Sequence, residues 1–192
     1  MFENDYESRL REWHEFRSTL EKSNDPFKDC LMLYKKAPRI FKSDVDPWDQ
    51  KTWLDPWQLV EKNLYSEMCI TLGICYSLQL TERFSGSNFE IHNAVDTKSK
   101  HTFYLLAVDN NIINPIVEEV YIGLPKHFVS QRIFKMPLGG KFGVIRGASG
   151  NLLILNERVK SLNMSHFLGF FEFSNLFQWI IKMPFVSTPK QR

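Results

Sequence analysis

The sequence predicts an α+β fold, with N-terminal helices packed on an antiparallel β-meander. Three observations carry this. Apolar residues recur at helical spacing through the first 80 positions. After Ser85-Gly86-Ser87 the period changes to two. The alternating segments that follow are separated by short turns, which suits antiparallel neighbours. Hydrophobic residues make up 43% of the 192, enough for a sizeable core and against disorder of the chain as a whole.

The first helix is expected over residues 5–22. Tyr6, Leu10, Trp13, Phe16 and Leu20 line one face, and Asn4 or Asp5 can cap its start. This stripe fits a surface helix lying on the domain. Its heptad-like spacing also fits a partner-binding seam, with Trp13 as the anchor. A second, short helix opens at Asp25-Pro26 and turns Phe27, Cys30, Leu31 and Tyr34 inward. Residues 38–56 form a long connection in which Asp46-Pro47-Trp48 and Asp55-Pro56-Trp57 repeat one pattern. Such loops are functional or pinned. Trp48, Trp53 and Trp57 either pin this one or form a binding platform.

Asp55 caps a short helix to about Lys62, and Ser66 caps a longer one to about Leu80. Met68, Ile70, Leu72, Ile74, Leu78 and Leu80, with Cys69 and Cys75, surround the longer helix, so it is expected at the centre. Gly73 within it predicts close approach of another element. In the alternating segment 88–95, Phe89 and Ile91 share one face, and Glu90, His92 and Ala94 the other. Further strands are expected at 101–108 and 117–122, with Asp109-Asn110-Asn111 as a hairpin turn.

The charge is uneven. Residues 1–136 carry a net −3 and residues 137–192 a net +5, with 7 of the 16 Phe in the second part. The chain therefore divides into an α+β domain, 1–136, and a basic, Phe-rich extension, 137–192. Within the extension, 142–146 and 152–155 can pair across Gly147-Ala148-Ser149-Gly150. The apolar run 164–186 is interrupted by His166, Glu172, Asn175, Gln178 and Lys182, which argues against a membrane span.

Cys30, Cys69 and Cys75 form no disulfide framework and no zinc pattern, and reduced thiols are expected. No cofactor or metal motif is found. The N-terminus is acidic and has no apolar secretory segment.

One constellation could carry chemistry. Cys69 lies one turn inside the helix that Ser66 caps, His101 opens a strand, and Asn114-Pro115 follows the next hairpin. A thiolate nucleophile, an imidazole base and an amide orienter are needed in that relation. The run His101-Thr102-Phe103-Tyr104, Val108-Asp109-Asn110 and Asn114-Pro115 resembles the transglutaminase-like superfamily, with Asn at the third position as in papain-like enzymes. That resemblance implies a cysteine-dependent hydrolase or acyltransferase with Cys69, His101 and Asn114 as its catalytic residues. Cys69 also reads as a core residue, His101 as a turn residue and Asn114-Pro115 as a common turn pair. His92 is a spare base.

A broader resemblance rests on Tyr6-Glu7-Ser8-Arg9-Leu10-Arg11-Glu12-Trp13, Asp46-Pro47-Trp48 and Trp53-Leu54-Asp55-Pro56-Trp57-Gln58-Leu59. The run Tyr76-Ser77-Leu78-Gln79-Leu80-Thr81-Glu82-Arg83-Phe84 adds to it. Over about residues 6–135 the chain resembles an uncharacterised protein family of T-even-like marine phages, of cyanophage type. The resemblance implies a viral protein made in the host bacterial cytoplasm. Three functional classes remain open. One is a phage accessory or virion-associated protein that works by binding a protein partner or itself, through the aromatic loop or the first helix. A second is the thiol enzyme. A third, nucleic-acid binding, rests on Arg146, Arg158, Lys160, Lys182, Lys190 and Arg192 among aromatics such as Phe142 and Trp179.

Overall fold

The computed structural model describes residues 1–135, 143–146 and 152–155. The chain divides into two compact units, Met1–Lys141 and Phe142–Arg192. The first unit is α+β: four helices precede a five-stranded antiparallel sheet. In the second, β6 (Gly143–Arg146) and β7 (Leu152–Leu155) pair antiparallel, the pairing the sequence allows for these segments. The expected apolar run 164–186 lies outside the described residues. So do Phe142, Arg158, Lys160, Trp179, Lys182, Lys190 and Arg192.

Each helix begins where a short polar side chain can satisfy its free N–H groups. Asp5 accepts from the Ser8 amide at the start of α1 (Tyr6–Leu20), 3.0 Å away. Asp25 does the same for Lys28 in α2 (Pro26–Tyr34). Asp55 and Gln58 form a reciprocal capping box on α3 (Pro56–Lys62). Ser66 accepts from the Cys69 amide at the start of α4 (Glu67–Gln79).

The helices meet at Ser77 of α4. Its hydroxyl donates to the Gly73 carbonyl, 2.8 Å away. It can then accept from the Trp13 indole N–H of α1 at 2.8 Å and the Tyr34 hydroxyl of α2 at 3.1 Å. One donor and two acceptor sites are thereby used in full, so this buried polar group leaves nothing unpaired. The stripe of α1 faces the fold: Trp13 and Leu20 are buried, Tyr6, Leu10 and Phe16 are half-buried, and α1 packs on α3 and α4. Arg9 adds a clamp, donating from Nε to the Val60 carbonyl and from Nη2 to the Glu61 carbonyl near the end of α3. Cationic donors suit a helix C-terminus.

Strands β1 (Phe89–Asp96), β2 (Thr102–Val108) and β4 (Glu119–Ile122) fall where strands are expected, and a further short strand, β3 (Asn111–Asn114), begins within the expected turn and pairs between β2 and β4, so the antiparallel meander has one strand more than the sequence predicts. A fifth strand, β5 (Phe128–Lys135), returns to pair with β1, giving the order β4-β3-β2-β1-β5. No strand is expected at β5, whose alternation is broken where the pairing shifts between Ile91 and His92. Phe89, Ile91, Leu106, Val108 and Ile113 are buried on the side of the helices, where α4 packs on β2. The other side has its own apolar cluster of Ala94, Phe103, Leu105, Ala107, Ile112 and Phe128. Phe128 of β5 lies 5.7 Å from Tyr121 of β4, ring centre to ring centre. Those two strands are the opposite edges of the sheet, so the sheet coils until its edges meet over this second cluster.

Candidate functional site

The three residues of the thiol constellation occupy separate places. Cys69 sits in the first turn of α4 and is 1% exposed. His101 is exposed at the β1–β2 turn, where its amide donates to Ser99 Oγ at 3.5 Å and its carbonyl accepts from Asp96. Asn114 ends β3, fully buried. Its Oδ1 accepts from the amides of Ile116 at 3.0 Å and Val117 at 3.3 Å, so the side chain shapes the turn through Pro115. The pairing of Leu106 with Ile113 places Asn114 level with Leu105. His101, just before β2, lies four residues from Leu105, about 13 Å at the strand rise. No described hydrogen bond joins any two of the three.

Burial raises the other thiols against ionisation. It pushes Cys75 up to about 12 and, with the nearby charge of Asp29, Cys30 well above the ordinary range. A disulfide-exchange reagent such as Ellman's is therefore expected to modify none of the three cysteines in the native chain within an hour at pH 8. In denaturant it should modify all three at once. Rapid native reaction at Cys69, located by mass spectrometry, would restore a thiol site.

The four tryptophans expected at a binding surface divide. Trp13 and Trp57 are core residues, stacked edge to face at 5.4 Å. Trp53 pins the loop instead: its indole N–H donates to the Asp46 carbonyl at 3.0 Å, and its ring lies 5.2 Å from Phe134 of β5. Trp48 alone of the four is largely exposed, at 54%. Phe41, in the same connection, projects fully into solvent. The connection itself is well tied. Ile40 and Tyr65 share a backbone bond beside the Arg39–Tyr65 bridge. Thr52 Oγ1 accepts from the Asp46 amide, and the Tyr76 hydroxyl donates to the Leu54 carbonyl.

A polar group on β1 and β5 was half legible in the sequence. Glu90 and His92 share a face by strand period, while Ser130 joins them only through the β1–β5 pairing. His92 Nδ1 lies 3.3 Å from Ser130 Oγ, and its Nε2 lies 3.1 Å from Glu90 Oε2. Glu90 Oε1 faces Arg132 Nη1 at 3.3 Å and Lys135 Nζ at 3.4 Å. Partial burial pushes the Glu90 carboxyl up. Hydrogen bonds from Asn88, His92 and Lys135, with the charge of Arg132, outweigh it and hold the group below its usual range.

Among the described residues, no three His, Cys, Asp or Glu side chains gather as a metal site, and no helix is long and apolar enough to cross a membrane. The architecture is thus an α+β domain with an ordered, aromatic-bearing loop and a polar cluster on its sheet. No known family model matches the chain, and no curated protein matches it.

Proposed function

We propose that this chain is a binding protein whose contact surface is the connection over residues 38–56, with Phe41 and Trp48 as its anchors. The observation that carries this is the exposure of two large aromatic rings, Phe41 and Trp48, on a loop held by backbone and side-chain hydrogen bonds. An ordered loop loses little entropy when it docks, and aromatic rings dominate interface energetics. The occupant best suited is a protein partner, or a second copy of this chain, offering an apolar pocket. The resemblance of residues 6–135 to a marine-phage family supports a phage accessory or virion-associated setting, in the host bacterial cytoplasm or the virion. The first helix is the weaker choice of surface, because its anchor Trp13 and Leu20 are buried inside the fold.

The test is a double substitution, Phe41→Ser with Trp48→Ser. Tagged protein retrieved from infected host cells, together with sedimentation velocity of the purified chain, reads partner binding and self-association. The pair is expected to lose at least tenfold in affinity, about 1.4 kcal/mol or more. Thermal stability should hardly change, since both rings are exposed. Undiminished association with a folded variant sinks the proposal. The thiol reading draws no support from the placement of Cys69, His101 and Asn114.

A further inference from the structure

We propose that Glu90, His92 and Ser130, brought together across strands β1 and β5, form a carboxylate–imidazole–hydroxyl relay that hydrolyses short acyl esters carrying a negative charge. Ser130 is the nucleophile, His92 the base and Glu90 the positioning residue.

The assignment follows from what each group can donate. An ionised carboxylate only accepts, so the His92 nitrogen facing Glu90 carries the hydrogen. In the neutral ring the other nitrogen, Nδ1, then holds a bare lone pair, and it is the one facing Ser130. The hydroxyl proton therefore has an acceptor 3.3 Å away. That distance is long for a tight bond, and nucleophile–base contacts are often loose before substrate arrives. Glu90 divides its oxygens: Oε2 orients the ring, while Oε1 takes Arg132 and Lys135. The carboxylate thus stays ionised without giving up the imidazole.

Access and charge set the substrate class. Ser130 is half-buried, and Arg132 and Lys135 are 54% and 46% exposed at their side chains. Two cations against one carboxylate leave the cluster with a surplus positive charge. A substrate bearing an anion is drawn to it, and the same charge favours the oxyanion that forms when the carbonyl is attacked.

The chemistry balances with water as the only co-reactant. Ser130 Oγ bonds to the acyl carbon as its proton moves to His92 Nδ1. The ester C–O bond breaks, and the leaving alkoxide takes that proton to depart as an alcohol. Water then attacks the acyl-serine, giving a proton to Nδ1. The bond from the acyl carbon to Oγ breaks, the carboxylic acid leaves, and Ser130 regains its proton.

The experiment uses the full chain with a fluorophosphonate probe, the modified residue being located by mass spectrometry. Ser130 is expected to be labelled, and Ser130→Ala to abolish labelling. His92→Gln should slow it about a hundredfold, and Glu90→Gln by at least about tenfold. Nitrogen NMR of the His92 ring should show the Nε2–H tautomer in the native chain and a mixture in Glu90→Gln, a change that mere loss of packing does not predict. After subtraction of the uncatalysed rate, the 4-acetoxybenzoate anion should be cleaved faster than its neutral methyl ester. A folded native chain left unlabelled at Ser130 overturns the proposal, whatever the variants do. So does labelling that His92→Gln leaves at the native rate.

Discussion

Replacing Trp13 with alanine is expected to lower the unfolding free energy by about 4 kcal/mol, the range of large-to-small changes in packed cores. The indole is 1% exposed and contacts three different kinds of partner. Its edge meets the Trp57 ring, its N–H donates to Ser77, and the Arg17 guanidinium lies 4.4 Å over its face. Alanine leaves a cavity that rigid helices α1, α3 and α4 cannot close. It also leaves Ser77 short of one donor and strips Arg17 of the ring beneath it. Burial already lowers Arg17, against the pull of Tyr34, to about 10, so its charge is poorly solvated before the ring is lost. Trp13→Phe separates the contributions. It keeps much of the apolar volume and removes the N–H, so about 1 to 2 kcal/mol should be lost. Urea unfolding measures both. A Trp13→Ala chain as stable as the native one, with weakened association, would instead restore the helix as a docking seam.

That result also shows where the sequence was legible. Local chemistry carried far: Asp5, Asp25, Asp55 and Ser66 cap the helices expected of them, because a cap depends on residues three apart. Hairpins with short turns followed for the same reason. What local pattern could not decide was the fate of a side chain. Asp46-Pro47-Trp48 and Asp55-Pro56-Trp57 are the same word. In the second, Gln58 completes a capping box, a helix begins, and Trp57 turns into the core. In the first, Asp46 Oδ1 accepts from the Trp48 amide in a tight turn, and the ring stays outside. Register was equally hidden. Chain order brings Cys69, His101 and Asn114 into a familiar sequence, yet the β2–β3 pairing sets His101 four residues from the level of Asn114. The contact of His92 with Ser130 spans 38 residues and depends on the β1–β5 register, in which Ala94 pairs with Ser130, and no periodicity foretells that register.

Gly73→Ala is the second large effect, and intrinsic propensity points the wrong way for it. In an exposed helix the change gains about 1 kcal/mol. Here a β-carbon would lie 2.7 Å from Tyr34 Cζ and 2.8 Å from its hydroxyl oxygen, and closer still to Cε1. Contacts that short force something to move. The tyrosine has nowhere to go: it is buried, its hydroxyl is bonded to Ser77, and its ring stacks edge to face on Tyr65 and Phe2, each 5.9 Å away. Overpacking of this kind costs about 1 to 3 kcal/mol and occasionally more. With a whole ring edge displaced, a net loss of about 2 kcal/mol is expected after the propensity gain. The cause can be isolated by a double-mutant cycle with Tyr34→Leu, which removes the obstructing ring. In that background Gly73→Ala should cost less than half as much, or become stabilising. An equal cost in both backgrounds would mean that α4 needs glycine for a reason other than the approach of α2.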